Sequence, residues 1–215
     1  ETLGVIGVYQ YQGEQTLTDI HIDYLEALAQ YAYLAIQKLA KQEIVEQQFE
    51  KHRSLTETTK QVLHSTSLDD ALMLIATQAM ELSVLVDRVA IHLYDPDRKY
   101  LSHGFSLPVR KSHLARGFHL GEGLAGQALD QFVCLNCGDV TTVEAYRSSE
   151  AHVGSLLVVP SFITSDEDQH RRIGTITVRH AEKNVFQDED EALLKALSDL
   201  LAMAVLKHQA AELHP

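Results

Sequence analysis

The chain carries the same strand-and-helix pattern at both of its ends. Residues 3–8 read LGVIGV and residues 173–178 read IGTITV, each an alternating apolar segment with glycine in second place. Each is followed by a polar loop and by a helical segment with matching apolar positions, from Leu17 and from Phe186. Such similarity indicates a repeated unit, although two unrelated strand–helix units could share it by chance. We predict that residues 1–40 are the last strand and helix of one copy and that a complete copy follows.

One uninterrupted helix is predicted to join the two copies. Glycine and proline are absent from Asp19 to Ser65, so a single helix of ~70 Å is possible there. Apolar residues with a 3–4 spacing from Leu25 to Leu39 are typical of a seam between paired helices. We predict that residues 41–65 are a helical linker and that the protein is a homodimer through the linker and terminal helices. A surface helix without a partner is the alternative.

The rest of the chain predicts an α+β domain. Apolar spacing indicates a helix from Ser67, and alternation indicates strands on either side of the Asp95–Asp97 turn. An irregular stretch, residues 106–154, contains a short helix and a strand around Cys134. Two further strands and a helix from about Asp188 complete the chain. This order favours an antiparallel sheet of five to six strands with helices packed on one face, preceded by the long linker helix.

Four segments in this order resemble the GAF domain family. They are Arg88–Tyr94 with DPDRKYL, then FHLGEGLAGQAL, GSLLVVPSF, and the closing IGTITVRHAEKNVFQDEDEALLKALSDLLAMAV. The resemblance covers residues 50–213 and implies a GAF/PAS-like fold. It also implies a sensory or regulatory module, or a dimerisation module, within a bacterial signal-transduction protein such as a histidine kinase or a cyclic-dinucleotide regulator. The output domain would lie outside this chain.

The resemblance also implies where a ligand would bind. In such domains one face of the sheet packs on the terminal helices, and the irregular segment covers the other face to form a pocket. The candidate pocket residues are His92, Phe105, Phe118, Leu124, Tyr146, His152, Val158 and Thr175. The ligand and any cofactor are not identified by the sequence. If these side chains fill the space themselves, the domain is a ligand-free structural dimerisation spacer.

Two glycine- and acid-containing motifs match nucleotide-binding patterns only in part. Gly121–Gly126 reads GEGLAG, but a dinucleotide site needs a βαβ unit with parallel strands, whereas this sheet is predicted to be antiparallel. The glycines are expected to form a tight turn into a short helix, whose backbone N–H groups could meet an anionic ligand. Phe186–Glu191 resembles half of the motif of cyclic-nucleotide-binding GAF domains. The other half of that motif is Asn-Lys and should directly follow the last strand. Here the two residues come later and in reverse order, as Lys183-Asn184.

The sequence does not favour a catalytic, redox or metal-binding role for its cysteine and histidine residues. Cys134 and Cys137 form a CxxC that could act as a redox switch, but no helix N-terminus lowers their pKa and no second CxxC completes a zinc site. Leu124 and Ala125 stand where GAF-type methionine sulfoxide reductases need a catalytic cysteine. Residues 145–154 lack the cysteine that would attach a bilin. The histidines are scattered, with His92 or His152 the best haem ligand, and we expect neither a metal site nor enzymatic activity.

Composition restricts the partners and the compartment. The net charge is −12 without a basic cluster, which disfavours nucleic acid and anionic membrane surfaces. No apolar run approaches the ~20 residues that span a bilayer, and two cysteines fit a reducing compartment. We expect a cytoplasmic protein that makes no membrane contact and has a possible small-molecule ligand. We also expect the apolar strand at residues 1–10 to dock on a neighbouring molecule.

Overall fold

The computed structural model describes residues 4–7, 18–82, 86–108, 117–143, 146, 153–164 and 169–213. The chain forms two compact units, Glu1–Arg53 and Ser54–Pro215. None of the described helices is both long enough and apolar enough to cross a membrane.

The first unit consists mainly of the N-terminal part of one helix. Helix α1, Asp19–His64, has 46 residues, which confirms the predicted uninterrupted helix. Residues 4–7 are exposed and have no regular secondary structure, so the strand expected at residues 3–8 is not formed over these four positions. A strand requires a hydrogen-bonded neighbour, and the described sheet does not include them. The other positions of that predicted strand lie outside the described residues.

The second unit is an α+β domain, as predicted. After the end of α1, its elements are α2 (Leu68–Leu82), β1 (Arg88–Asp95), β2 (Tyr100–Leu107), β3 (Phe118–His119), α3 (Gly123–Gln131), β4 (Leu135–Cys137), β5 (Ser155–Thr164), β6 (His170–His180) and α4 (Asp188–Leu213). The six strands are ordered β3-β2-β1-β6-β5-β4, and each neighbouring pair is antiparallel.

The main core lies between one face of the sheet and the long helices. Val89 and Ile91 of β1 and Leu157 of β5 project into it, where they meet α2, α4 and the end of α1. Leu197 and Leu201 of α4 are fully buried there, and burial of each such side chain contributes about 2 kcal/mol. This packing positions β1 and β6 at the centre of the sheet.

A smaller core covers the opposite face, and α3 lies on this side. Its fully buried members are Leu101, Ala128, Leu129 and Val158. Glycine residues allow the tight turn before α3, because Gly121 and Gly123 have φ of 82° and 61°. A Cβ at Gly126 would lie 2.4 Å from the carbonyl oxygen of His119. These glycines therefore fit the predicted tight turn.

A β-bulge in β2 changes which side chains reach each face. Ile91 pairs with Phe105 and His92 pairs with His103, so Gly104 is passed over. His103 consequently shares the face of His92. Phe105 instead packs against the main core.

Candidate functional site

Three rows of cross-strand neighbours cross the sheet face beneath α3. Residues paired directly across an antiparallel ladder have Cβ atoms about 5 Å apart. The first row is His103, His92, Thr175 and Pro160; the second is Ser106, Ala90, Thr177 and Val158; the third is Arg88, Arg179 and Leu156. Six polar residues of these rows, together with Tyr146 of the smaller core, are here called the sheet-face site: Arg88, His92, His103, Tyr146, Thr175, Thr177 and Arg179.

Several polar atoms of this site are buried without a hydrogen-bond partner. They are Nδ1 of His92, Oγ1 of Thr175, Oγ1 of Thr177 and the hydroxyl of Tyr146, as far as the described residues show. Thr175, Thr177 and His92 are only 0%, 3% and 4% exposed. An unpartnered buried polar group costs about 1–3 kcal/mol, and such groups are few in native proteins. Their occurrence together indicates a place where something else supplies the hydrogen bonds.

Buried hydroxyls elsewhere in the same sheet are satisfied. Ser161 is 1% exposed, and its Oγ donates to the carbonyl oxygen of Ser198 at 2.6 Å. The Oγ of Ser155 donates to the carbonyl oxygen of Glu182 at 2.8 Å. The unpartnered atoms are therefore a local property of the sheet-face site.

His92 is held in its neutral form. Burial first, and then the nearby His103 and Arg179, together lower its pKa to about 3. The His92 ring meets the ring of Phe118 edge-on at a centroid distance of 5.2 Å, and that of His103 at 6.1 Å. A neutral imidazole can accept one hydrogen bond and donate another. The neutral His92 ring can therefore both donate and accept hydrogen bonds, and a further positive charge beside it is disfavoured.

Apolar side chains surround the polar centre. Tyr94, Phe118 and Leu124 pack around the buried Leu101 and Val158. Mostly apolar surroundings with a few convergent polar groups are also the usual composition of a small-molecule site.

Six of the eight predicted pocket residues lie on this side of the sheet. His92 and Thr175 are in the first row, and the others belong to the smaller core: Phe118, Leu124, Tyr146 and Val158. Phe105 was wrongly placed, because the bulge at Gly104 turns its side chain to the main core. His152 lies outside the described residues.

Sequence reasoning missed four members of the site. Thr177 and Arg179 follow Thr175 at the two-residue period of a strand, so that period could have identified them. Arg88 precedes Ala90 and His92 with the same period. His103 carried no such signal, because its orientation depends on the bulge.

The two cysteines point away from one another. Cys134 packs against the main core and Cys137 against the smaller core. Burial raises the pKa of Cys134 to about 11 and also raises the pKa of Cys137. Both effects oppose thiolate chemistry at neutral pH. The described residues also hold no cluster of three metal-ligating side chains.

A carboxylate stands at the N-cap position of α3 without making a side-chain capping hydrogen bond. Glu122 precedes the helix, and its Oε2 accepts a hydrogen bond from the backbone N–H of His119 at 3.0 Å. A negative charge at this point disfavours the anion contact that the glycine motif predicted for the α3 backbone.

Comparisons with known proteins agree with this architecture. A family model described as "GAF domain" matches residues 65–205. The GAF domain of an Acinetobacter phosphoenolpyruvate-protein phosphotransferase is 21% identical, with 75% of this chain and 95% of that chain covered and a TM-score of 0.65. Free methionine-R-sulfoxide reductase from Neisseria meningitidis, solved with its substrate, is 22% identical, with 75% and 91% covered and a TM-score of 0.64.

A third similar structure is the GAF domain of a phosphoenolpyruvate-protein phosphotransferase from Coxiella burnetii. It is 20% identical, with 76% of this chain and 96% of that chain covered and a TM-score of 0.65. At these identities the likeness concerns the fold. No curated protein gives a significant match.

Proposed function

Because the chain belongs to the GAF domain family, we propose that it is a sensory module of a signal-transduction protein, which binds a small molecule at the sheet-face site. The observation that carries the proposal is the group of buried polar atoms without partners on His92, Thr175, Thr177 and Tyr146. A ligand that supplies these hydrogen bonds would remove their desolvation cost. The module would have no enzymatic activity of its own and would act in the cytoplasm.

Strand β6 connects the site to the long helices. Thr175 and Thr177 face the site, while the intervening Ile176 and Val178 are buried in the main core with α4. A change in the position of β6 on ligand binding would therefore reach α4 directly.

Helix α4 is in turn tied to the end of α1. The Nζ of Lys207 donates to the carbonyl oxygens of Leu63 and Ser65, each at 2.8 Å. Movement of α4 would thus be shared with α1. We propose that this is the relay to an output domain outside the chain, in a tandem arrangement in which residues 1–40 are the end of a preceding GAF-like copy.

The same helices would form a homodimer. In the first unit α1 exposes many large apolar side chains, including Leu28, Leu39 and Phe49. This surface also supports the second candidate function, a ligand-free dimerisation spacer. The sensory function requires a ligand at the sheet-face site, whereas the spacer requires none.

Native mass spectrometry of the chain purified from cells tests the proposal. We expect an adduct that denaturation releases, and we expect it to be reduced in the double variant Thr175→Val/Thr177→Val. Thr164→Val is the matched control, because its hydroxyl lies at an exposed position of β5 and is 3.0 Å from Nδ1 of His170. An adduct-free protein whose melting temperature responds to no compound in a metabolite panel would favour the spacer.

A further inference from the structure

Four buried polar atoms of the sheet-face site that lack a partner among the described residues belong to uncharged groups. They are part of two alcohols, a phenol and an imidazole: Oγ1 of Thr175, Oγ1 of Thr177, the hydroxyl of Tyr146 and Nδ1 of His92. The imidazole is uncharged because burial, and then His103 and Arg179, lower the pKa of His92 to about 3. Hydroxyls both donate and accept hydrogen bonds, and a neutral imidazole nitrogen does one or the other according to its tautomer. A ligand that satisfies these atoms therefore needs donors and acceptors together, and needs no charge.

The charged side chains of this face are already engaged. Arg88 and Arg179 lie directly opposite one another on β1 and β6, and each takes part in interactions within the protein. Neither is therefore counted among the groups that a ligand has to satisfy. A ligand anion would have to compete with those interactions and would also lose its own hydration. A ligand cation would be repelled by the guanidinium groups. An uncharged ligand incurs neither cost.

Three of the four polar groups are close neighbours in the sheet. His92 lies directly opposite Thr175, where paired Cβ atoms are about 5 Å apart. Thr177 follows Thr175 on the same face of β6, about 7 Å further along the strand. Since each hydrogen bond spans about 3 Å, one molecule the size of a single substituted ring is large enough to reach all three groups.

Aromatic and apolar side chains stand beside this polar set. The ring of Phe118 meets that of His92 edge-on at a centroid distance of 5.2 Å, and Tyr94 and Leu124 belong to the same smaller core as Phe118. Aromatic rings pack favourably against one another, and apolar surroundings favour burial of an apolar group. This composition favours a ligand that joins a polar group to a ring.

From this arrangement we infer that the sheet-face site takes an uncharged small molecule in which a ring carries an amide or a similar group that both donates and accepts hydrogen bonds. The polar group lies at His92 and Thr175 and extends towards Thr177, and the ring lies beside Phe118. The inference rests on the proposed function and names the ligand class of the same site.

Four compounds of nearly the same shape test the inference on the whole chain. Benzamide is uncharged and both donates and accepts; acetophenone has a methyl group in place of the NH₂ and only accepts; benzoate is an anion and benzamidine a cation at pH 7. Titration followed by ¹H–¹⁵N NMR gives each dissociation constant, and the amide shifts of Thr175 and Thr177 locate the compound. We expect benzamide to bind at least about fivefold more tightly than acetophenone. We expect it to bind at least about tenfold more tightly than either ion.

Threonine variants test the contact. Thr175→Val keeps the shape of the side chain and removes its hydroxyl, so it should weaken benzamide binding at least about fivefold. Thr175→Ser retains the hydroxyl and should bind benzamide more tightly than Thr175→Val. Thr164→Val is the matched control, because its hydroxyl is exposed and lies 3.0 Å from Nδ1 of His170. Should Thr175→Val fail to fold, as judged by circular dichroism, Thr177→Val makes the same test.

The outcomes separate this inference from the proposed function. Tighter binding of benzoate or benzamidine than of benzamide would overturn the inference, as would equal binding of benzamide and acetophenone. Equal weakening of benzamide binding by Thr175→Val and Thr164→Val would also overturn it. Failure of all four compounds to bind would overturn it too and would indicate that water satisfies the buried atoms.

In each of these cases a cellular adduct that is reduced in Thr175→Val/Thr177→Val would leave the sensory function intact. A protein that carries no adduct from cells and responds to no panel compound would overturn the sensory function as well.

Discussion

His92 and Thr175 lie directly opposite one another on β1 and β6, and both present a buried polar atom that has no hydrogen-bond partner among the described residues. The native fold bears a desolvation cost for each. Buried polar groups without partners are few in native proteins, and we therefore take this pair as the centre of the proposed site.

Replacing Thr175 with valine should therefore not destabilise the free protein. The change removes an unpartnered hydroxyl and keeps a β-branched side chain in a strand, so we expect the free energy of unfolding to be unchanged or to rise by about 1 kcal/mol. Urea denaturation measures this. Ser161→Ala is the contrasting variant: it removes a hydroxyl that donates to the carbonyl oxygen of Ser198, and should lower stability by about 1 kcal/mol. Equal losses in both variants would show that Thr175 is satisfied after all.

His92 should make the domain sensitive to acid. Burial first, and then His103 and Arg179, lower its pKa from 6.5 to about 3, so below pH 6.5 the unfolded chain takes up a proton that the native chain does not. Its contribution to stability is full above pH 6.5 and is lost as pH falls towards 3, at about 1.4 kcal/mol per pH unit.

The comparison with His92→Gln isolates this contribution. Between pH 7 and pH 5 the free energy of unfolding of the unsubstituted protein should fall by about 2 kcal/mol more than that of His92→Gln. Urea denaturation of both proteins at both pH values gives the four free energies of unfolding. The variant His64→Gln, which removes an exposed imidazole, controls for the loss of a histidine as such. Parallel pH dependence in the unsubstituted protein and His92→Gln would contradict the depressed pKa.

The extent of sequence prediction differs between the scaffold and the site. Helix α1 was predictable because glycine and proline are absent from it, and the strands were predictable because apolar and polar residues alternate. The location of His92 and Thr175 on one face followed from the same alternation together with the family resemblance.

The bulge and the polar rows were not predictable in this way. The register shift at Gly104 arises from the pairing of β1 with β2, and pairing is a property of two strands that a single-strand pattern does not contain. Phe105 was misplaced and His103 was missed for that reason. The two-residue period places Thr177 on the same face as Thr175, but threonine is common in strands, so the period alone does not assign it to a binding site. Its burial without a partner is the additional observation.

Cys134 and Cys137 should not form a disulfide with one another. They pack on opposite faces of the sheet, and burial raises both pKa values, that of Cys134 to about 11. Intact-mass measurement after diamide treatment should show no loss of two hydrogens within the monomer, and alkylation at pH 7.5 should be slower than for free cysteine. Rapid formation of an internal disulfide, absent in Cys134→Ser, would revive the redox-switch interpretation.

Lys207 should couple α4 to the end of α1. Lys207→Gln shortens the side chain and removes the charged donor to the carbonyl oxygens of Leu63 and Ser65, at a cost of about 1 kcal/mol in this exposed setting. Hydrogen exchange of the amides at residues 62–66 should become faster. Lys195→Gln removes an exposed lysine whose partner, Glu191, is on its own helix, and should leave those amides unchanged. If both variants exchange alike, Lys207 does not hold the junction.

The exposed apolar surface of α1 should be the dimer contact. Leu28 and Leu39 are 57% and 67% exposed in the single chain, and burial between two copies would stabilise a paired helix by about 1.5–3 kcal/mol for each fully buried leucine. The double variant Leu28→Lys/Leu39→Lys should weaken dimerisation at least a hundredfold in sedimentation-velocity experiments over a concentration series. Gln30→Lys, an exposed polar position of the same helix, is the charge control. Both leucines lie outside the second unit, so its melting transition should be unaffected. An unsubstituted chain that remains monomeric at the highest concentration would refute the dimer and, with it, both the relay and the spacer as proposed.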